Sequence, residues 1–399
     1  MYSERVTDAR TKVLYIHPYS DSYNGAEELD IICGLKILKE ISSIEVYRVA
    51  VDLNDKSLKI DFVHNLKSSN LKIIPFFRYW INFISAPDNT LRQAFSFKNS
   101  MQVMELCKSL GIDVVFTNTS STFLFGKQKK IRHIHRSVSF EPVYVTKSVK
   151  NKVKKTIHVF FKFLTVLKEL HCDLIFTISP RDDKYYNHIS FISCKRVKTQ
   201  ILPLRQLAFT EKYDSNQFGK DDLSIGFLGS TYNVLHNERS LRYLLETLSH
   251  DFLDSNNMIF NVYGKKIIKE IKSIYASNRI RFHDWIPDIK EIYNLNQVFL
   301  VPNFLGSGMQ SKVFEPLVAG RILICDPRVL SGYDFKPNYE FIPATNTMEF
   351  INSLKWIKLN FYESSTMSER ARIRSLELFG PEIIKSTIYN NLRVNDGHT

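Results

Sequence analysis

The sequence predicts an α/β protein made of two Rossmann-like halves facing each other across a cleft. Three observations carry that prediction. Short runs rich in β-branched and aromatic residues alternate with longer amphipathic runs along most of the chain, the pattern of strands joined by helices. Several of the short runs, Val114-Val115-Phe116 among them, are apolar at every position, as parallel strands covered on both faces are. The alternation lapses once, over EKYDSNQFGKDD at 211–222, where six of the twelve residues are charged, and then resumes. A chain of 399 residues suits two domains at roughly 100–200 residues each. Its 44% hydrophobic and 24% charged residues are those of a folded chain rather than a disordered one.

In the first half, 1–210, the β-rich runs are Lys12–Ile16, Ile44–Val51, Leu71–Phe77, Asp113–Thr119, Ile131–His135, Leu174–Ser179 and Thr199–Leu204. Helical periodicity marks Ala26–Ile41, Leu91–Leu110 and Ser148–Leu170. The charged stretch 211–222 reads as a linker. In the second half, 223–367, strands are expected at Ser224–Leu228, Ile259–Tyr263, Arg279–Phe282, Val298–Val301, Ile322–Cys325 and Phe341–Pro343. Helices are expected there at Asn237–Leu248, Lys265–Tyr275, Ile289–Asn294, Ser311–Ala319 and Met348–Leu359. The last stretch, 368–399, reads as helices broken at Gly380-Pro381 that cross back to the first domain. No repeat of 20–50 residues and no low-complexity tract interrupts this order.

Charge separates the halves. The net charge is +13, but residues 51–200 hold 25 basic and 11 acidic side chains, while the rest of the chain holds 29 and 30. A basic block of this kind calls for an anionic partner: nucleic acid, a membrane surface or a phosphorylated substrate. A solvated basic face with no partner is the plain alternative. Five scattered cysteines without a C-x-x-C pair argue for reduced thiols in a cytosolic setting and against a zinc site. No apolar run approaches about 18 residues, so neither a transmembrane helix nor a signal peptide is expected.

Two strand-to-helix loops can carry chemistry. The first, His17 to Glu28, puts Asn24 and Gly25 at a helix entrance, where free backbone N–H groups can meet an anion. It is not G-x-G-x-x-G, which weakens a redox dinucleotide reading, and Gly25 can equally serve the turn alone. The second, Pro302 to Gly320, follows a strand with Gly306-Ser307-Gly308, then Met309, Gln310 and Ser311 at the start of a short helix. Lys312 lies in its first turn and Glu315 one turn on, on the same face. Glycines admit a ligand close to the backbone, the helix start has unsatisfied N–H groups, and Lys312 adds a full charge. Together these make a diphosphate site, with Glu315 able to accept hydrogen bonds from sugar hydroxyls. Ordinary dipole compensation would also explain an acid in the first turns.

At this point the sequence resembles a family. Over Leu223–Leu354 it is similar to the C-terminal domain of bacterial GT-B glycosyltransferases of the group 1 type, glycosyltransferase family 4. The matching residues are Phe227-Leu228-Gly229-Ser230, Asn237, Val262-Tyr263-Gly264, Phe282 to Asp288 with Trp285, then Tyr293, Pro302, Gly306, Gly308, Lys312, Glu315, Ala319-Gly320 and Ser331-Gly332. Asn24-Gly25-Ala26-Glu27 resembles the family's G-G-A-E loop. The resemblance implies transfer of a sugar, with retention, from a nucleotide-diphospho-sugar held by Asn24, Gly25, Ser230, Trp285, Ser307, Gly308, Met309, Gln310, Ser311 and Lys312. It implies no metal and no cofactor beyond that donor substrate. Glu315 matches the second glutamate of the family's E-x7-E pair, expected near the donor ribose. Ser307 stands where the first would be, Asp284 and Ile322 replace a usual glycine and proline, and the usual basic pair after the first strand is missing, so the chain reads as a divergent member.

In the first half, His135, at the end of its strand with His133 on the same side, is the candidate catalytic histidine, and Glu141 an acceptor-side carboxylate. From Lys147 to Lys168 there are seven lysines and no acid, interleaved at three- and four-residue spacing with apolar residues. This predicts an amphipathic helix whose Lys150, Lys152, Lys154, Lys155, Phe160 and Phe161 meet an anionic membrane or the acceptor. Its alternative is an apolar face packed inward with the lysines solvated. The resulting expectation is a cytoplasmic enzyme, peripheral on the inner face of the membrane, extending a glycan or lipid-linked acceptor in surface-polysaccharide synthesis such as lipopolysaccharide. An epimerase or hydrolase of the same fold is the second reading, and a nucleic-acid-binding protein a third, disfavoured because no binding motif for nucleic acid is present.

Overall fold

The structure, a computed structural model, describes residues 10–18, 26–51, 57–62, 69–72, 97–119, 130–140, 142–143, 152–212, 222–232, 234–284, 286, 288–302 and 309–392. The chain divides into two compact units. One comprises residues 1–23, 27–205 and 384–399, the other 24–26 and 206–383.

The first unit is built on an eight-stranded sheet. Its strands are β1 (Thr11–Pro18), β2 (Ile44–Val51), β3 (Ser57–Phe62), β4 (Ser69–Lys72), β5 (Val114–Asn118), β6 (Arg132–Arg136), β7 (Leu174–Thr177) and β8 (Lys198–Ile201), in the order β4-β3-β2-β1-β5-β6-β7-β8. All neighbours from β2 to β8 run parallel, whereas β3 and β4 turn back as an antiparallel edge. The expected strand at 71–77 is therefore a hairpin partner at Ser69–Lys72, its remainder lying outside the described residues, and β3 had no counterpart in the sequence reading. Among the described residues, helices α1 (Ala26–Glu40), α2 (Phe97–Leu110), α3 (Lys152–Glu169) and α4 (Pro180–Ile192) lie between the strands along the chain. Val103, Cys107 and Val115 belong to one packed cluster on the sheet, and Phe140, Val166, Ile175 and Tyr186 to a second.

A fully buried ion cluster locks the carboxyl ends of these strands. Asp30 of α1 accepts from the Arg205 backbone N–H, Nε and Nη2, the last at 2.7 Å, and lies 3.5 Å from Arg136 Nε. Arg205 also donates to Tyr15 and Asn118, and Arg136 donates to the carbonyls of Thr177, Leu202 and Pro203. One residue explains the fit: a Cβ on Gly34 would lie 2.1 Å from Arg205 Nη1.

The second unit has six parallel strands: β9 (Leu223–Thr231), β10 (Met258–Lys265), β11 (Ile280–His283), β12 (Val298–Val301), β13 (Ile322–Cys325) and β14 (Ile342–Pro343). Their order β11-β10-β9-β12-β13-β14 is that of a Rossmann sheet, with the reversal of direction between β9 and β12. Helices α5 (Leu235–Thr247), α6 (His250–Ser255), α7 (Lys269–Tyr275), α8 (Ile289–Leu295), α9 (Ser311–Val318), α10 (Thr347–Leu359) and α11 (Phe361–Phe379) cover it. Gly380 breaks the chain, and α12 (Pro381–Leu392) begins on Pro381. Gly264 takes φ +139° at the end of β10, where a Cβ would lie 1.6 Å from the Gly229 carbonyl oxygen, so only glycine lets these strand ends close.

Candidate active site

In an open parallel sheet, ligands bind beyond the carboxyl ends of the strands where the strand order reverses. In the second unit that point lies between β9 and β12, and the charged residues singled out in the sequence meet there. Asn237, in the first turn of α5, donates through Nδ2 to the Thr231 carbonyl at the end of β9, 3.0 Å away. Its Oδ1 accepts from Lys312 Nζ at 3.2 Å, so the α9 lysine is drawn across to β9. Ser240, one turn along α5, donates to the Pro302 carbonyl at the end of β12. The Lys312 ammonium also lies 5.8 Å from the centre of the Phe227 ring.

Lys312 is buried, and among the described residues no carboxylate lies within ion-pair distance of it. Burial pushes its pKa down to about 8. Burial, and then the Lys312 charge, likewise lowers neighbouring His236 to about 4, which keeps that imidazole neutral. The ammonium is thus held by one amide oxygen and one ring face, at the start of a helix whose N-cap, Gln310, makes no side-chain cap. A buried cation compensated only in this way is suited to an anion.

Glu315 is buried one turn along α9. Its Oε2 accepts from the Tyr293 hydroxyl at 2.8 Å and its Oε1 from Gln206 Nε2 at 3.2 Å. Burial raises its pKa, and these two bonds work against that rise. Ser230 is half-buried at the end of β9, Met309 is buried, and Gln310 and Ser311 are half-buried at the start of α9. Asn24, Gly25, Trp285, Ser307 and Gly308 lie outside the described residues, as do Glu141 and Lys150. Gln206 escaped the sequence reading because its partner is 109 residues away and no local pattern marks it.

His135 is fully buried in β6 of the first unit. Its Nδ1 is 2.9 Å from Thr117 Oγ1 and its Nε2 3.6 Å from Glu169 Oε1, while Tyr186 donates to the other Glu169 oxygen. Thr117 Oγ1 also lies 3.1 Å from His133 Nε2, so the two histidines do share a side of the strand. On α3, Lys152 and Phe160 are exposed and Lys155 and Phe161 half-buried. Nothing is described of the Lys154 side chain. Among the described residues, no three His, Cys, Asp or Glu side chains come together as metal ligands, and no helix is long and apolar enough to cross a membrane.

Residues 222–334 match the family described as glycosyl transferases group 1. That stretch is similar to a group 1 glycosyltransferase domain, and it includes Asn237, Tyr293, Lys312 and Glu315. No curated protein matches the chain. Solved structures share its GT-B fold over nearly the whole length. Sucrose-phosphate synthase from Thermosynechococcus elongatus is 14% identical with a TM-score of 0.60, covering 96% of this chain and 99% of its own. The E. coli trehalose-6-phosphate protein bound with UDP-2-fluoro glucose is 10% identical with a TM-score of 0.62, covering 96% and 100%. HepE of Anabaena, in complex with UDP-glucose, is 11% identical with a TM-score of 0.59, covering 96% and 99%. At such identities the likeness concerns the fold.

Proposed function

We propose that this glycosyltransferase moves a sugar from a nucleoside-diphosphate donor to a hydroxyl of a glycan or lipid-linked acceptor. The observation that carries this is the buried Lys312 ammonium, with no carboxylate partner among the described residues, at the start of α9 beside the switch point of the sheet. In the reaction the bond from the sugar C1 to the β-phosphate oxygen breaks and a bond from C1 to the acceptor oxygen forms. The acceptor's proton leaves with the nucleoside diphosphate. Negative charge grows on the leaving phosphate, and Lys312 with the α9 N–H groups is set to stabilise it. Glu315, its carboxylate steered by Tyr293 and Gln206, is set to accept from the ribose hydroxyls.

The UDP and UDP-sugars bound in structurally similar proteins make uridine the first base to try. The basic surplus of residues 51–200 supports an acceptor met at an anionic membrane, as in bacterial surface-polysaccharide assembly. The family resemblance supports retention at the anomeric carbon. A thermal-shift panel of UDP, GDP, ADP and CDP tests the donor: one selective nucleotide should raise the unfolding midpoint by mass action. Lys312→Ala and Glu315→Ala should each abolish or sharply reduce sugar transfer. Wild-type transfer by both variants would place the donor site elsewhere.

A further inference from the structure

Helix α3 turns most of its apolar stripe outward. The face turned into the first unit carries Val166 but also His158, Lys162 and Glu169, all buried. The face turned to solvent carries Val153, Phe160, Phe163 and Leu164, with Phe160 58% exposed. The alternative of an apolar face packed inward with the lysines solvated does not describe this helix, since Phe160 is exposed and Lys162 buried. An outward apolar stripe lowers solubility unless something covers it.

The stripe does not stand alone. Helices α3 and α4 cross between neighbouring parallel strands of one sheet, and right-handed crossovers put both on the same face. Val166 and Leu167 of α3 share a packed cluster with Tyr186 and Ile189 of α4. At the tip of α4, Phe191 and Ile192 are 84% and 65% exposed. Lys195 follows, close enough to His171 beyond α3 for its charge to add to burial in lowering that imidazole's pKa. Charge completes the pattern. From 152 to 200, among the described side chains, every exposed charged group of the Asp, Glu, Lys and Arg classes is basic, including Lys152, Lys184, Lys195 and Arg196. The acids of that stretch, Glu169, Asp173, Asp182 and Asp183, are buried or half-buried.

We infer that the outer face of α3 together with the tip of α4 is a docking surface for an anionic lipid bilayer. Phe160 and Phe191 enter the boundary between headgroups and acyl chains, and the basic side chains meet the headgroups. A second copy of the chain fits less well, because it would bring two basic faces together. The inference deepens the reading of a membrane-borne acceptor and rests on it, but its test needs no activity.

The test is flotation with vesicles of phosphatidylglycerol and phosphatidylcholine in equal parts, compared with phosphatidylcholine alone. The wild-type chain should float with the anionic vesicles and release as salt rises. A Phe160→Ser/Phe191→Ser variant should lose about tenfold or more in partitioning. In Lys195→Gln/Arg196→Gln each lost charge should weaken it about fivefold. Both variants alter exposed side chains, and an unchanged unfolding midpoint shows that they fold. Absence of flotation, or variants that float like the wild type, would overturn the inference. So would wild-type self-association that Phe160→Ser abolishes in the absence of vesicle binding, which would make the face a contact between copies. UDP-induced stabilisation, measured separately, decides the donor reading whatever the vesicles show.

Discussion

Lys312, the proposed phosphate-binding residue, weakens the fold that carries it. Its pKa is about 8 when folded against 10.5 ordinarily. Between those values the unfolded chain holds a proton that the folded chain has lost, so this group makes stability rise with pH from about 8 to 10.5, and its penalty is constant below about 8. Lys312→Met should therefore raise the unfolding midpoint of the free protein at pH 7 while removing the shift produced by UDP. Differential scanning fluorimetry with and without nucleotide reads both, and a UDP shift that survives in the variant refutes the assignment. Glu315 depends on its neighbours in the opposite sense. Tyr293→Phe leaves a buried carboxylate oxygen one donor short, which should destabilise the protein by about 1–3 kcal/mol in urea unfolding. A variant as stable as the wild type would mean that water replaces the tyrosine hydroxyl.

Between elements, two contacts leave no room for substitution. Gly264→Ala would drive a Cβ into the Gly229 carbonyl at a positive φ, separating the ends of β9 and β10 beside the proposed anion site. A loss of about 4 kcal/mol or more, or failure to fold, is expected, and a wild-type denaturation curve would contradict the close approach. In the first unit, Asp30 joins α1 to Arg136 and Arg205. Burial alone would raise its pKa, but the two guanidiniums more than reverse this and hold it below the ordinary 3.8. Its stabilising share is therefore present above pH 3.8 and is lost as pH falls through the lower folded value. Asp30→Ala strands two buried cations, and chemical denaturation should register about 3–5 kcal/mol. A change under 1 kcal/mol would show that the backbone carbonyls suffice.

At the scale of the molecule, the chain returns to its first unit at the end. From residue 384 α12 belongs with residues 27–205, burying Ile384, Ile388 and Leu392. Lys385 pairs with Glu40 at 2.9 Å, and Asn391 donates to Gln200 at 2.9 Å. Truncation after Gly380 should consequently loosen α1 and β8, although the cut lies next to the second unit in sequence. Amide hydrogen exchange should show protection lost there and kept in β9 to β13. The reverse pattern would contradict the assignment of α12.

Much of this was legible before any coordinates. Strands Ile44–Val51, Val298–Val301 and Ile322–Cys325 and the start of α9 at Ser311 fall where the sequence predicts them, because burial on both faces or a glycine loop leaves a local signature. The Lys312 and Glu315 pair was visible for the same reason, being spaced along one helix. The hairpin edge of β3 and β4 was not, since edge strands without a two-residue turn signal resemble loops. Gln206 on Glu315 and Asn237 on Lys312 join residues 109 and 75 apart, and nothing local encodes such a meeting. Composition and period alone determined the α/β alternation, the basic block and the presence of an apolar stripe on α3. Only the tertiary structure decided which way that stripe faces, because a helix's orientation is set by what the sheet and its neighbours leave to bury. Here they buried Lys162 and Glu169 and left Phe160 outside.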